Sequence, residues 1–477
     1  MGSKHSRQRP AVTIQFHSEE LAEIDGLFAA ITGGLETISN GKTKRTFPIP
    51  INSDMLQAYA GEALPEKMVI KLYDAMRKTE PNGSIRNPSE YVSKEQFVNL
   101  LSQALKGKVG DKSLVIQKML NVTPEKMKVF HVKEFTEDLI SSVVHVLDFR
   151  NELKGWIMNK SEDMTSTVKA LAEQLLLPLK QKEKNSGEER SDWDFDGEGK
   201  RRQERFLECT DGSCIEEWLF KVPQINIFLN MIIRRGFLVL NSQGEFSNFI
   251  PECKDAKELK SLLNIPAIIY INTHLPLNLQ QSWRLVYSSH IHGLSFTQFC
   301  ASIIDKGPCL LVIKDSDGFI FGGFSSHSLE LKSQFQGDSR CFLYTISPNI
   351  AVYKYSGYND HYMYLNNGQH TIPNGLGMGG QFEHFGLWID SDFGKGHSKA
   401  NPRCSTYNSP QLSANENFHL EALEVWALGS FVPTRLSKKR SVLDPEKDVH
   451  TLLEMIGKRH YSDIRRRRSN LEEDSED

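Results

Sequence analysis

The sequence predicts an α+β protein: a helical N-terminal region, then a β-sandwich of two packed sheets with flanking helices, then a C-terminal helix. Three observations carry this. Apolar residues recur at helical spacing from Ser18 to Phe149. From Trp283 to Leu428, short apolar runs entered by one helix alternate with turn residues, the pattern of a sandwich. Beyond the last run, Val449, Leu452, Leu453 and Ile456 form a single apolar stripe.

Composition sets the frame. The 477 residues suffice for two or three domains, and 39% hydrophobic with 25% charged residues is the balance of folded cores. A net charge of -3 gives no reason to expect nucleic acid. Seven scattered cysteines without a C-x-x-C fit a reduced, cytoplasmic chain. No apolar run approaches the roughly eighteen residues of a membrane span, and the N-terminus lacks a signal-peptide core.

The helical elements follow in order. Ser18 caps a helix opened by Glu19 and Glu20, acids suited to the positive end of the helix dipole. Leu21, Ile24, Leu27, Phe28 and Ile31 share one face, and Gly33-Gly34 ends it. Pro65 starts a second helix with Met68, Val69, Leu72 and Met76 inward, and Ser93 opens a third that runs to Leu105. The loop between them, from Thr79 to Ser93, has an EF-hand shape without the Asp ladder that calcium needs. Val132–Leu147 is a further helix, and another ends over Leu171–Leu179. In the charged stretch from Lys180 to Arg205, Asp192, Asp194 and Asp196 spell the start of a calcium loop, but Gln203 stands where the closing Glu belongs. A solvated acidic loop is the expectation. Trp218–Leu240 reads as a buried helix and a strand, and Pro251 to Asn264 as a linker with a short helix.

In the sandwich, Cys309–Ile313 and Phe319–Phe324 flank Lys-Asp-Ser-Asp-Gly, a hairpin signal. Cys341–Ile346, Ala351–Tyr355, His361–Leu365, Phe385–Ile389 and Leu420–Leu428 are the remaining expected strands. Phe296, Phe299, Cys300 and Ile303 make Ser295–Ile304 a packed helix.

Candidate chemistry is sparse. Gly375 to Gly380 satisfies G-x-G-x-x-G, yet a strand rather than a helix follows, so a phosphate meets no helix N-terminus there. His290 and His292, on one strand face if extended, and the dispersed His327, His361, His370, His384 and His397 lack metal-site spacing. Ser325, Ser326 and His327 adjoin without a nucleophile elbow. Glu383 beside the glycines and Cys404 beside Arg403 are the residues an enzyme would use, the latter because positive charge favours a thiolate. No catalytic residue, metal or cofactor is assigned.

At the N-terminus, Met1-Gly2-Ser3-Lys4-His5-Ser6 fits N-myristoylation at Gly2, and Lys4, Arg7 and Arg9 supply the second, electrostatic signal that stable anchoring requires. At the other end, the stripe from Val449 to Ile456 follows Asp444-Pro445 and stops at Gly457. It either docks on its own sandwich or enters a partner's groove.

The run WRLVYSS…FGGF…GLGMGG…FGLWID…F-x-x-x-x-LEVWALG resembles the TLDc family, the domain of the oxidation-resistance proteins. With its flanks included, the chain is most similar to the lysosomal, mTOR-linked branch. The resemblance implies a flanked β-sandwich, no established catalytic residues, and binding to the cytosolic V1 head of the V-ATPase. The expected protein is a non-enzymatic adaptor, peripheral on the lysosomal membrane and acting in mTOR signalling. The alternative is a redox-protective or hydrolytic enzyme of the oxidation-resistance type. The expected division is 1–14 anchor, 15–240 EF-hand-like helical domain, 241–264 linker, 265–432 TLDc domain, and 433–477 helix and charged tail.

Overall fold

In the computed structural model the helical periods become helices, with one cap shifted: His17, whose N–H donates to the Glu20 carboxylate, caps the first helix, and Ser18, expected as the cap, is its first residue. The structure describes residues 16–40, 43–80, 90–122, 127–158, 162–180, 213–241, 249–256, 259–369, 372–381, 384–400 and 402–429. Outside them lie Gly2, the 192–204 acidic loop, most of the Thr79–Ser93 loop, His370, Glu383 and the whole of the second unit, Phe431–Asp477, with Val449, Leu452, Leu453 and Ile456.

The helical region begins with α1 (Ser18–Thr32), the hairpin β1 (Leu35–Asn40) and β2 (Thr43–Pro48), and α2 (Ser53–Ala60). Then come α3 (Glu66–Arg77), α4 (Lys94–Leu105), α5 (Val109–Leu120) and α6 (Val129–Phe149). It closes with α7 (Glu162–Leu175), α8 (Leu177–Lys180), α9 (Ser213–Lys221) and α10 (Pro223–Phe237). Ser93 accepts the Gln96 N–H while the Gln96 side chain accepts the Ser93 N–H, a reciprocal cap. Two helix–loop–helix units, α1–α2 and α3–α4, are yoked where Ile51 and Val92 exchange both backbone hydrogen bonds at 2.9 Å. The β1–β2 hairpin is an addition that helical periodicity does not signal. The strand expected within Trp218–Leu240 is a correction. Pro223, whose missing N–H suits a first helical turn, starts a second helix there instead.

Among the described residues one lysine is buried inside this region. Lys118 is 1% exposed, and its Nζ donates to Thr79 Oγ1 and Gln103 Oε1, each at 3.2 Å. Burial pulls its pKa down to about 8 from 10.5, Asp111 partly opposing. Between those values the unfolded chain binds the proton that the folded chain has released, so stability rises with pH. Urea unfolding from pH 8 to 10.5 is expected to show a rise of roughly 3 kcal/mol in the wild type that Lys118→Met lacks. Equal slopes in the two proteins would refute this.

Among the described residues the sandwich is built from twelve strands. β3 (Glu252–Lys254) lies inside the expected linker and pairs in parallel with β4 (Ser282–Ser288), on either side of α11 (Ile265–His274). The helices α12 (Ser289–His292) and α13 (Phe296–Ile303) follow. The strands β5 (Cys309–Asp315), β6 (Ile320–Ser325), β7 (Lys332–Gln336), β8 (Phe342–Ser347) and β9 (Ala351–Lys354) come next. The last are β10 (Met363–Asn366), β11 (Gly375–Gln381), β12 (His384–Asp390), β13 (Lys395–His397) and β14 (Asn417–Leu428).

β14 belongs to both layers. Its first three residues pair with β13, continuing the layer β7–β10–β11–β12–β13. The remainder runs between β4 and β5, in the layer β3–β4–β14–β5–β6–β8–β9. The sequence of β14 records the change. Its first half alternates exposed and buried, as in a half-covered strand, and its second half is buried throughout. That second half is covered on both faces. Leu311, Ile313, Leu423 and Val425 pack inward against Leu376, Met378 and Leu387 of the facing layer. Leu310, Val312, Trp426 and Leu428 face the other way, into one continuous core with the helices. Trp156 of the helical region sits against Trp426 and Trp283, ring centroids 4.8 and 5.8 Å away.

Candidate functional site

The glycine-rich run is a strand, not a loop. Gly375 to Gln381 forms β11 and pairs with β12 along its length, so no helix N-terminus stands behind it. Leu376 and Met378 supply the inward face, and the glycines between them leave room on the outward one. A Cβ on Gly377 would lie 2.7 Å from the Phe385 ring and 2.9 Å from Trp388. Gly379 has a φ of +73°, and a Cβ there would meet Tyr407 at 2.6 Å and Cys404 Sγ at 2.7 Å. The glycines thus let Phe385 and Trp388, centroids 4.7 Å apart, lie flat on the backbone. His361 stacks on Phe335 at 4.2 Å, and His397 lies along Trp388 at 6.0 Å. Burial pushes the pKa of His397 down to about 4, Lys399 and His384 adding to the effect, so its ring is neutral at physiological pH.

The other candidates are dispersed. His290 and His292 stand on the short helix α12 rather than on a strand; His292 stacks on Tyr287 with its Nδ1 3.0 Å from the Ser288 N. Among the described residues no three His, Cys, Asp or Glu side chains converge as a metal site would require. Ser326 Oγ is 3.0 Å from His327 Nδ1, and Asp338 approaches that same nitrogen at 3.7 Å. A relay needs the acid on the opposite ring nitrogen. Asp338 also receives Arg340, which holds its carboxyl at about 2 despite the opposing effect of burial.

Cys404 requires a correction. Its sequence neighbour Arg403 suggested an activated thiol. Cys404 is 4% exposed, packed against Gly379, Gly386 and Tyr407, and burial raises its pKa. The Arg403 guanidinium turns away and donates to Asn408 O at 3.0 Å. Cys300 and Cys309 are likewise pushed up to about 12 by burial.

Two residues that organise the site escaped the sequence reading. Glu424 is fully buried on β14, and its carboxylate accepts the Ser261 O–H at 2.8 Å, the Leu262 N–H at 2.9 Å and the Trp426 indole N–H at 3.1 Å. Asp315, also fully buried, accepts the N–H groups of Asp317 and Phe319 and the Ser413 hydroxyl, tying the β5–β6 turn to the 413 loop. The available signal was an acid interrupting an apolar run, as in LEVWAL. The oxygens of both acids are occupied by donors of the same chain, an arrangement that holds backbone in place.

A model of the TLDc domain matches residues 257–429. Over nearly its whole length the chain is similar to the protein named mTOR-associated protein MEAK7: 48% identical to that of Gallus gallus, across 97% of each chain, and 45% to that of Homo sapiens, across 97% of this chain and 98% of the relative. The chain belongs to the TLDc family. A more distant TLDc likeness, 39% identity to nuclear receptor coactivator 7 of Homo sapiens, covers 35% of this chain and 17% of that protein. The TLDc match begins before β4 and so takes in Ser261 and Leu262, which Glu424 fastens to the last strand. Among the described residues no helix is long and apolar enough to cross a membrane.

Proposed function

We propose that the chain is a non-enzymatic adaptor in mTOR signalling. Its N-terminus anchors it to the lysosomal membrane through an acyl chain on Gly2, and its TLDc sandwich docks on the cytosolic V1 head of the V-ATPase. The full-length likeness to relatives named mTOR-associated carries the reading. The use of the buried acids supports it, since Glu424 and Asp315 direct their oxygens to donors of their own chain. The stripe of Val449, Leu452, Leu453 and Ile456 belongs to the same proposal as a second contact with the partner.

The test is capture of V1 subunits by the purified full-length chain. The full chain is the right bait because one layer of the sandwich packs directly on the helical core, through Trp156, Trp283 and Trp426. No enrichment of V1 subunits by folded protein would overturn the reading. For the anchor, Gly2→Ala is expected to move the protein from the membrane pellet to the soluble fraction, because the basic residues that remain bind an anionic surface only weakly. Retention of the variant in the pellet would count against the acyl chain.

A further inference from the structure

The α3–α4 unit has the helix–loop–helix build of an EF-hand, and Gln96 stands where such a hand is closed. In a calcium-binding hand a bidentate glutamate in the first turn of the exiting helix holds the ion. The ion in turn ties that helix to the loop leaving the entering one. Here the entering helix is α3, the exiting helix is α4, and the residue is a glutamine. Its amide makes both connections. Oε1 accepts the Ser93 N–H at 2.9 Å, and Nε2 donates at 3.2 Å to the carbonyl of Arg77, the last residue of α3. A carboxylate has no hydrogen to donate and could make only the first of these bonds.

The end of α3 is held from two sides. Tyr73, one turn before Arg77, donates its hydroxyl to Glu90 O at 2.9 Å, just ahead of the Val92 that pairs with Ile51. From α5, Lys118 Nζ reaches Thr79 Oγ1, and Lys78 Nζ donates to Lys118 O, each at 3.2 Å. Lys118 also donates to Gln103 of α4, so one ammonium joins the ends of three helices. Still largely protonated at neutral pH, it puts a fixed positive charge at Thr79, where the loop departs. A divalent cation entering there would meet repulsion.

We propose that Gln96 does for this hand what a calcium ion does in others, clasping α3 to α4 through its own amide. The helical region therefore keeps one arrangement with or without calcium. A sensor hand needs two arrangements and an ion that binds them unequally. Here the tie that the ion would supply is already made by a side chain. The clasp is independent of what the sandwich binds.

The experiment follows amide hydrogen exchange of the full chain by mass spectrometry, in EGTA and in about 1 mM calcium, well above the range of intracellular sensors. The wild type is expected to exchange alike in both. Gln96→Glu keeps the acceptor that caps α4 but cannot donate to Arg77 O. In EGTA it is expected to speed exchange of the Val92 and Thr79 amides, which bond Ile51 O and Met76 O, about tenfold. Gln96→Ala is expected to speed them at least as much. The β5 amides of the sandwich should keep their protection in both variants, which shows that the variants fold. Wild-type protection of Val92 in Gln96→Glu would mean that the amide does not hold the two helices together. A calcium-dependent change in the wild type would mean that an ion still sets their arrangement. Either result overturns the clasp.

Discussion

Gly322→Ala is expected to prevent the sandwich from assembling. Gly322 sits in β6 opposite Val312 of β5, where the Tyr344 hydroxyl passes over it to donate to Leu311 O at 2.7 Å. A methyl group at Gly322 would overlap that carbonyl oxygen and come within 2.8 Å of the Tyr344 oxygen. The obstacle is backbone in a central strand pair, not the end of a side chain that can swing away. Relief therefore demands separation of β5 from β6 or loss of a buried hydrogen bond, a cost of about 4 kcal/mol or more. Such a loss is a large part of the stability of a domain. The measurement is thermal unfolding by circular dichroism together with soluble yield. A variant melting within a few degrees of the wild type would mean the strands move apart more easily than this packing allows.

Glu424→Ala carries the second large effect. The three donors it satisfies are the Ser261 hydroxyl, the Leu262 amide and the Trp426 indole, all at the packed face between β14 and the chain leading into α11. Each orphaned buried donor costs roughly 1–3 kcal/mol, so an aggregate of about 3–5 kcal/mol is expected. The loss has a location. The Leu262 amide should exchange hydrogen faster, while the Ile51 and Val92 amides of the helical region keep their protection. Glu424→Gln retains the shape and one acceptor but turns an amide N–H toward other donors, so it should fall between the two. If the alanine variant left both the melting temperature and Leu262 exchange unchanged, the fastening role would be wrong.

How legible this was depends on what each element is made of. The β5–β6 hairpin was readable because Lys314 to Gly318 separates two apolar runs, and α13 because Ser295 caps a stripe of four buried residues. The elements that hid lack those signals. β11 alternates glycine with Leu376 and Met378, so its outward face carries no side chain to mark a period. β7 is largely exposed and polar, and β3 and β13 are three residues each, too short for any pattern. Cys404 misled for a different reason. Its sequence neighbours describe the loop, but its environment is set by Gly379 and Gly386, residues distant in sequence that only the folded chain brings together.

The position of β14 has a consequence for biosynthesis. This strand stands between β4 and β5 and also continues to β13, yet it is the last strand of the sandwich to leave the ribosome. Until Leu428 has emerged, β4 and β5 have no neighbour to share, and their apolar faces await a strand not yet made. A message cut short by a few codons before that point would yield two half-layers without their common seam, a product for the quality-control proteases rather than a smaller working protein.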